Sequence, residues 1–127
     1  MNPLTLPLRF TARVISGRSR GRTLGVPTLN LDLRDVPPDL QDGLYAGRAI
    51  VEETEYQATI HWGPRPTFGD TRTFEVHVID ADIPAPSQTV TVEIVQFLRA
   101  IEKFPSAEAL TKQMHEDIAK SRDILGS

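Results

Sequence analysis

Residues 17 to 30, Gly-Arg-Ser-Arg-Gly-Arg-Thr-Leu-Gly-Val-Pro-Thr-Leu-Asn, carry the chain's densest set of groups suited to an anion. Gly17, Gly21 and Gly25 recur every fourth position and let backbone N–H groups approach a ligand. Arg18, Arg20 and Arg22 offer planar donor forks matched to phosphate. The chemistry suits a polyphosphate, but the spacing is not that of a P-loop: three residues rather than four separate Gly17 from Gly21, and Arg22 stands in place of lysine. A solvated basic loop is the plainer alternative. Thr28 and Asn30 lie two apart in an extended segment, so they project to the same side. A hydroxyl and an amide oxygen suit Mg²⁺ when a nucleotide's phosphates supply the negative charge. Turn hydrogen bonds are the commoner use of the same two residues.

Glu75 is the next candidate. Phe74, Val76 and Val78 alternate with Thr73, Glu75 and His77, which turns the carboxylate away from the apolar row. On an open face it is an ordinary surface acid; lining a cleft, it accepts or orients a proton from a substrate hydroxyl. His61, His77 and Asp80 lack the tight spacing of a metal site. No serine sits in a strand-to-helix elbow, so a Ser–His–Asp arrangement finds no support.

These residues need strands to hold them. Leu8, Phe10, Ala12 and Val14 alternate with polar residues and open the domain with a strand; Gly17 to Gly25 reads as a loop. Val26 before Pro27 enforces an extended entry to Thr28. After a connection over Asp35–Asp42, alternation marks strands at Leu44–Val51, around Tyr56 to Trp62, and around Phe74 to Val78. Gly63–Asp70 and Asp82–Ser87 are broken by proline, and a long strand follows at Thr89–Leu98. Helix is expected only after Pro105: Ser106 is the N-cap, Glu108 sits in the first turn, and Leu110, Met114 and Ile118 form a stripe for docking. Five or six short strands and one terminal helix argue for a mainly β, small antiparallel Greek-key barrel with the helix outside.

A chain of 127 residues suits a single domain over 1–127. The absence of cysteine excludes disulfides, thiolate metal sites and a cysteine nucleophile together. No apolar run is long enough to span a membrane, and the N-terminus lacks the features of a secretory signal, so a cytoplasmic setting is expected. The first 31 residues hold five arginines and no acid, a local charge of +5; the whole chain is −3, leaving −8 for the rest. That end should attract anions. A nucleic-acid surface is not expected, since 6% aromatic residues leave few stacking platforms.

Several runs resemble the successive motifs of riboflavin kinases: Gly17…Arg20-Gly21…Leu24-Gly25-Val26-Pro27-Thr28-Leu29-Asn30-Leu31, Gly43-Leu44-Tyr45-Ala46, Gly63-Pro64-Arg65-Pro66-Thr67-Phe68, Phe74-Glu75-Val76-His77-Val78-Ile79-Asp80 and Phe97-Leu98-Arg99-Ala100-Ile101-Glu102-Lys103-Phe104. They occur in the family's order and cover nearly the whole chain. The resemblance implies a six-stranded antiparallel barrel that transfers the γ-phosphate of ATP to the 5′-hydroxyl of riboflavin, giving FMN and ADP. It implies that Pro27, Thr28 and Asn30 serve the phosphates, with Thr28 and Asn30 holding Mg²⁺ or another divalent cation. Gly17, Arg20, Gly21, Arg22 and Gly25 would form a flap over the nucleotide, Glu75 would act on the ribityl hydroxyl, and Arg99 and Phe104 would belong to a substrate loop. The implied partners are riboflavin/FMN and ATP/ADP, with neither nucleic acid nor membrane, acting on a monomer. Two departures stand out: Asp80-Ala81 leads into Asp82-Ile83-Pro84-Ala85-Pro86 where the family has aromatic residues, and His61-Trp62-Gly63 replaces the usual Asn-Ile-Gly. The first leaves a flavin- or nucleotide-binding module without turnover as the alternative. The N-terminal adenylyltransferase domain of many bacterial relatives has no counterpart in 127 residues, so FAD synthesis is expected elsewhere.

Overall fold

The computed structural model describes residues 5–20, 27–66, 71–81 and 88–126, and of residues 16–20 the backbone. Among the described residues, six strands and one α-helix make up the main regular structure: β1 (Leu8–Arg20), β2 (Pro27–Leu31), β3 (Gly43–Val51), β4 (Thr54–Pro64), β5 (Arg72–Val78), β6 (Thr89–Arg99) and α1 (Ala107–Leu125). The strands close into an antiparallel barrel in the order β1-β2-β5-β4-β3-β6. Within it β3, β4 and β5 follow one another as neighbours, and β6 returns to lie beside β3, which is the Greek-key order.

Side-chain alternation decides which face of each strand is inside. Leu29 and Leu31, Ala58, Ile60 and Trp62, Phe74, Val76 and Val78, and Val90, Val92 and Ile94 all enter one buried core. Phe74 sits at its centre, edge-on to Phe10 with ring centroids 5.6 Å apart and tilted against Trp62 at 5.8 Å. The Trp62 indole N–H is not stranded in this core: it donates to the Leu40 carbonyl at 3.0 Å. A short 3₁₀ turn at Leu33–Asp35, capped by Asp32, begins the connection to β3.

The first strand is longer than its composition suggests. Residues 17–20, expected in a loop, belong to β1 and pair with β2, with Ser19 opposite Thr28 and Arg20 opposite Pro27. Glycine and arginine are poor strand formers, but an available partner edge overrides local propensity. The pairing shifts register between Val14 and Ser16 and again between Ser16 and Ser19, so bulges absorb the extra residues around Gly17. Gly21, Arg22 and Gly25 lie outside the described residues, as do 67–70 in the proline-rich loop and 82–87 before β6.

Helix α1 begins as the sequence indicates, with the Ser106 side chain accepting from the Ala109 N–H at 3.1 Å. It packs on the outer faces of β3, β4 and β6. The expected docking stripe divides: Ile118 is buried, whereas Leu110 and Met114 are half-buried and line a cleft. Among the described residues no helix is long and apolar enough to cross a membrane.

Candidate functional site

The outward-facing residues of three neighbouring strands form two short rows. Asn30, Glu75 and His61 stand side by side across β2, β5 and β4, and Thr28, His77 and Thr59 form the adjacent row. Strand neighbours lie about 4.8 Å apart, so Glu75 is one strand from Asn30. The structure thus brings the strand carboxylate together with the Thr28/Asn30 pair. Helix α1 and the linker before it cover part of this face, leaving a cleft partly open to solvent. Its lining combines apolar side chains, Leu44, Ile101, Phe104, Leu110 and Met114, with the polar His61, Arg65, Glu75, His77 and Arg99.

Glu75 is only 7% exposed, and a buried carboxylate requires partners. Its Oε2 accepts the Thr73 hydroxyl at 2.9 Å and lies 3.3 Å from Arg65 Nε, while Oε1 lies 3.4 Å from His77 Nε2. Burial pushes the His77 pKa down to about 4, against the opposing pull of Glu75, so the ring is neutral near pH 7. A neutral ring facing a carboxylate through Nε2 carries its proton there. Nδ1 then accepts the Thr28 hydroxyl at 3.0 Å, and the lone pairs of the Thr28 oxygen turn away from the ring.

His61 occupies the other side of the carboxylate. Its Nε2 lies 3.1 Å from the Pro64 carbonyl and its Nδ1 lies 3.2 Å from the Thr73 hydroxyl. A carbonyl only accepts, so Nε2 bears the proton of the neutral ring. Burial lowers the His61 pKa, partly offset by the Glu75 charge. Gly63, between His61 and Pro64 in β4, has a φ of 128°, a conformation that an L side chain rarely adopts.

Arg99 and Phe104 both line the cleft. The Arg99 guanidinium is bound to Asp117 of α1 through contacts of 2.8 to 3.2 Å and lies 5.5 Å from the Phe104 ring centroid. Asp117 is 1% exposed and also accepts from Gln113 at 3.1 Å. Asp80 pairs instead with Arg122 at 2.6 to 2.8 Å, so it does not converge with His61 and His77. Among the described residues no group of three His, Asp or Glu side chains is arranged to hold a metal ion. The donor set that remains, the Thr28 hydroxyl and the Asn30 amide, is neutral and small. It fits a hard cation only where a substrate's phosphates complete the shell and balance the charge.

Three contacts of the candidate residues were not read from the sequence: Thr73 as the donor to Glu75, His77 as the partner of Thr28, and Asp117 as the anchor of Arg99. The first two were detectable as the residues two places either side of Glu75 on its own strand face. Asp117 had no local signal.

Comparison with known proteins bears on the same residues. Residues 4–125 match the family model of riboflavin kinase. The chain is 35% identical over 129 aligned residues to the bifunctional riboflavin kinase/FMN adenylyltransferase of Haemophilus influenzae, covering 99% of this chain and 41% of that protein. It is 30% identical to the RNA-binding riboflavin kinase RibR of Bacillus subtilis, covering 89% of this chain and 50% of that one. A crystal structure of a macrolide-efflux protein from Streptococcus pneumoniae superimposes with a TM-score of 0.74 at 32% identity, over 91% of this chain and 38% of that one. The chain therefore spans half or less of the length of these proteins. With the motifs in order, the closed barrel around them and a family match over nearly every residue, this chain belongs to the riboflavin kinase family.

Proposed function

We propose that this chain transfers the γ-phosphoryl group of ATP to the 5′-hydroxyl of riboflavin, yielding FMN and ADP. The observation that carries this reading is the buried Glu75 carboxylate, one strand from Asn30, in a cleft whose lining is otherwise largely apolar. A flat, largely apolar heterocycle with a polyhydroxyl tail fits such a cleft, with its ring against Phe104, Leu110 and Met114 and its terminal hydroxyl at Glu75.

In the transfer, the hydroxyl oxygen forms a bond to the γ-phosphorus, the bond from that phosphorus to the bridging oxygen of ADP breaks, and the hydroxyl proton passes to Glu75. Such a step asks the protein chiefly for alignment and charge stabilisation. Thr28 and Asn30 would hold a divalent cation, which when bound neutralises phosphate charge. His77 orients the Thr28 hydroxyl for that purpose by accepting its hydrogen bond through Nδ1. Gly21, Arg22 and Gly25, with Gly17, Arg20 and Pro27 of the paired strands, belong to the nucleotide side of the same reading.

The test is chromatographic separation of riboflavin from FMN after incubation with ATP and Mg²⁺. Wild type should form FMN, and Glu75→Gln should lower turnover by about 10²–10⁴ while nucleotide binding persists. Flavin binding without FMN formation in the wild type would overturn the kinase reading, and unchanged turnover in Glu75→Gln would remove this residue from it.

A further inference from the structure

Among the described residues, one hydroxyl proton beside Glu75 has two acceptors to serve. The Thr73 hydroxyl has a single proton and two acceptors within reach, Glu75 Oε2 at 2.9 Å and the Nδ1 of a neutral His61 at 3.2 Å. His61 cannot relieve the shortage by changing tautomer, because its Nε2 proton is held by the Pro64 carbonyl. The two destinations of the Thr73 proton differ in consequence. On Glu75 it stabilises the carboxylate and makes it a poorer base; on His61 it leaves Oε2 with lone pairs for another donor.

We propose that His61 is a positioning residue for Glu75, acting through Thr73: the neutral ring gives the Thr73 proton an alternative acceptor, so that Glu75 can release it when a substrate hydroxyl arrives. Protonating the ring removes that option. Nδ1–H then donates to the Thr73 oxygen, and the Thr73 proton is committed to Glu75. With Nε2–H donating to the Pro64 carbonyl, His61, Thr73 and Glu75 then form one donor chain whose carboxylate end is less able to take the substrate proton.

The surroundings of His61 are consistent with a neutral working form. It is opposed across the sheet by Glu75 and by Leu44 of β3. Arg65 from the following loop, Arg99 from β6 and His77 from β5 are the neighbouring cationic or ionisable groups, with Glu102 on the same cleft. Burial and the two arginines favour the neutral ring, and Glu75 and the Pro64 hydrogen bond oppose them. The inference rests on the kinase reading for its effect on turnover, but the proton arrangement can be measured without turnover.

Two measurements on the full chain test it. In the first, ¹⁵N NMR of the His61 ring should show Nε2 protonated and Nδ1 bare near neutral pH. Thr73→Val should lower the His61 pKa by about half a unit or more, because the charged ring loses its acceptor. A ring protonated on Nδ1 instead, or a titration unmoved by Thr73→Val, overturns the proposal whether or not FMN is formed. In the second, the acid limb of kcat/KM for FMN formation should track the His61 titration and move to lower pH in His61→Asn. In a Thr73→Val background that exchange should have no further effect, and Thr73→Ser should restore the wild-type limb. An unchanged limb in His61→Asn, or equal shifts with and without the Thr73 hydroxyl, refutes the linkage. Absence of FMN from the wild type refutes the kinase reading alone, and the ring titration still decides the proton arrangement.

Discussion

Replacing Asp117 by alanine tests whether the cleft wall is held by a buried ion pair. The carboxylate is 1% exposed and accepts from Arg99 Nε and Nη2 and from Gln113, so its loss strands a guanidinium whose side chain is 18% exposed. Removing one partner of a buried pair typically costs about 3–5 kcal/mol. The lower figure applies here, because Arg99 retains some water, the Ala100 carbonyl at 3.2 Å and the face of Phe104. With a urea m-value of about 1.5 kcal/mol/M, a loss of about 3 kcal/mol moves the unfolding midpoint down by about 2 M. Joint replacement, Arg99→Met with Asp117→Leu, removes the uncompensated charge and should recover most of the stability. Urea titrations of the three proteins decide it. A midpoint shift below about 0.5 M in Asp117→Ala, or a double variant no better than the single, refutes the reasoning. The functional counterpart is weakened flavin binding in Asp117→Ala, since the same helix carries Leu110 and Met114.

Two further outcomes follow from single side chains. The folded-state pKa of His77, about 4, lies below its ordinary value of 6.5, so between these values the unfolded chain binds more protons and stability rises with pH. The contribution is fully present above about pH 6.5 and is lost as pH falls toward 4, at most about 3 kcal/mol; urea midpoints from pH 4.5 to 7.5 should slope upward, more steeply than in His77→Gln. Gly47 lies on β3 where its pairing with β6 shifts register, and an added Cβ would run into the Glu93 carbonyl oxygen and Ile60 Cδ1. Gly47→Ala should therefore cost about 3 kcal/mol, read from the same titrations, and a near-neutral effect would show that the two strands can separate.

Most of the barrel was legible because each strand buries one face and leaves the other polar, a requirement that writes itself as alternation. Phe74, Val76 and Val78 against Thr73, Glu75 and His77 is the clearest instance, and it fixed the side of the sheet on which Glu75 lies. Residues 17–20 escaped because strand formation there depends on pairing with β2, and pairing across a hairpin leaves no mark in the composition of one strand. The helix stripe was legible as a stripe but not by destination: spacing puts Leu110, Met114 and Ile118 on one face, and only the underlying sheet decides that Ile118 meets protein while the other two meet a cleft. The His61 exchange was visible in its motif, but its meaning depends on Thr73 and Pro64, which the fold brings to the two ring nitrogens.

The position of the site follows from the size of the barrel. Six strands enclose only enough room for their own side chains, and the inward residues from Ala12 to Ile94 fill it. A ligand must therefore bind on the outside, where the polar rows of β2, β5 and β4 stand, and an outside site needs a second wall. Helix α1 supplies it while burying few large apolar groups of its own; Ile118 and Leu125 are the principal ones. Its placement is set by directional contacts instead: Ser121 with Thr59 at 3.0 Å, Asp117 with Arg99, and the Leu125 carbonyl with Arg48 at 3.2 Å. Apolar packing alone would let the helix slide along the barrel; these bonds fix its register against the strands. The width of the cleft beside Glu75 is thus specified by polar residues that themselves need not touch a ligand, which is why substitutions at Asp117, Ser121 or Arg48 should alter binding before they alter the chemistry.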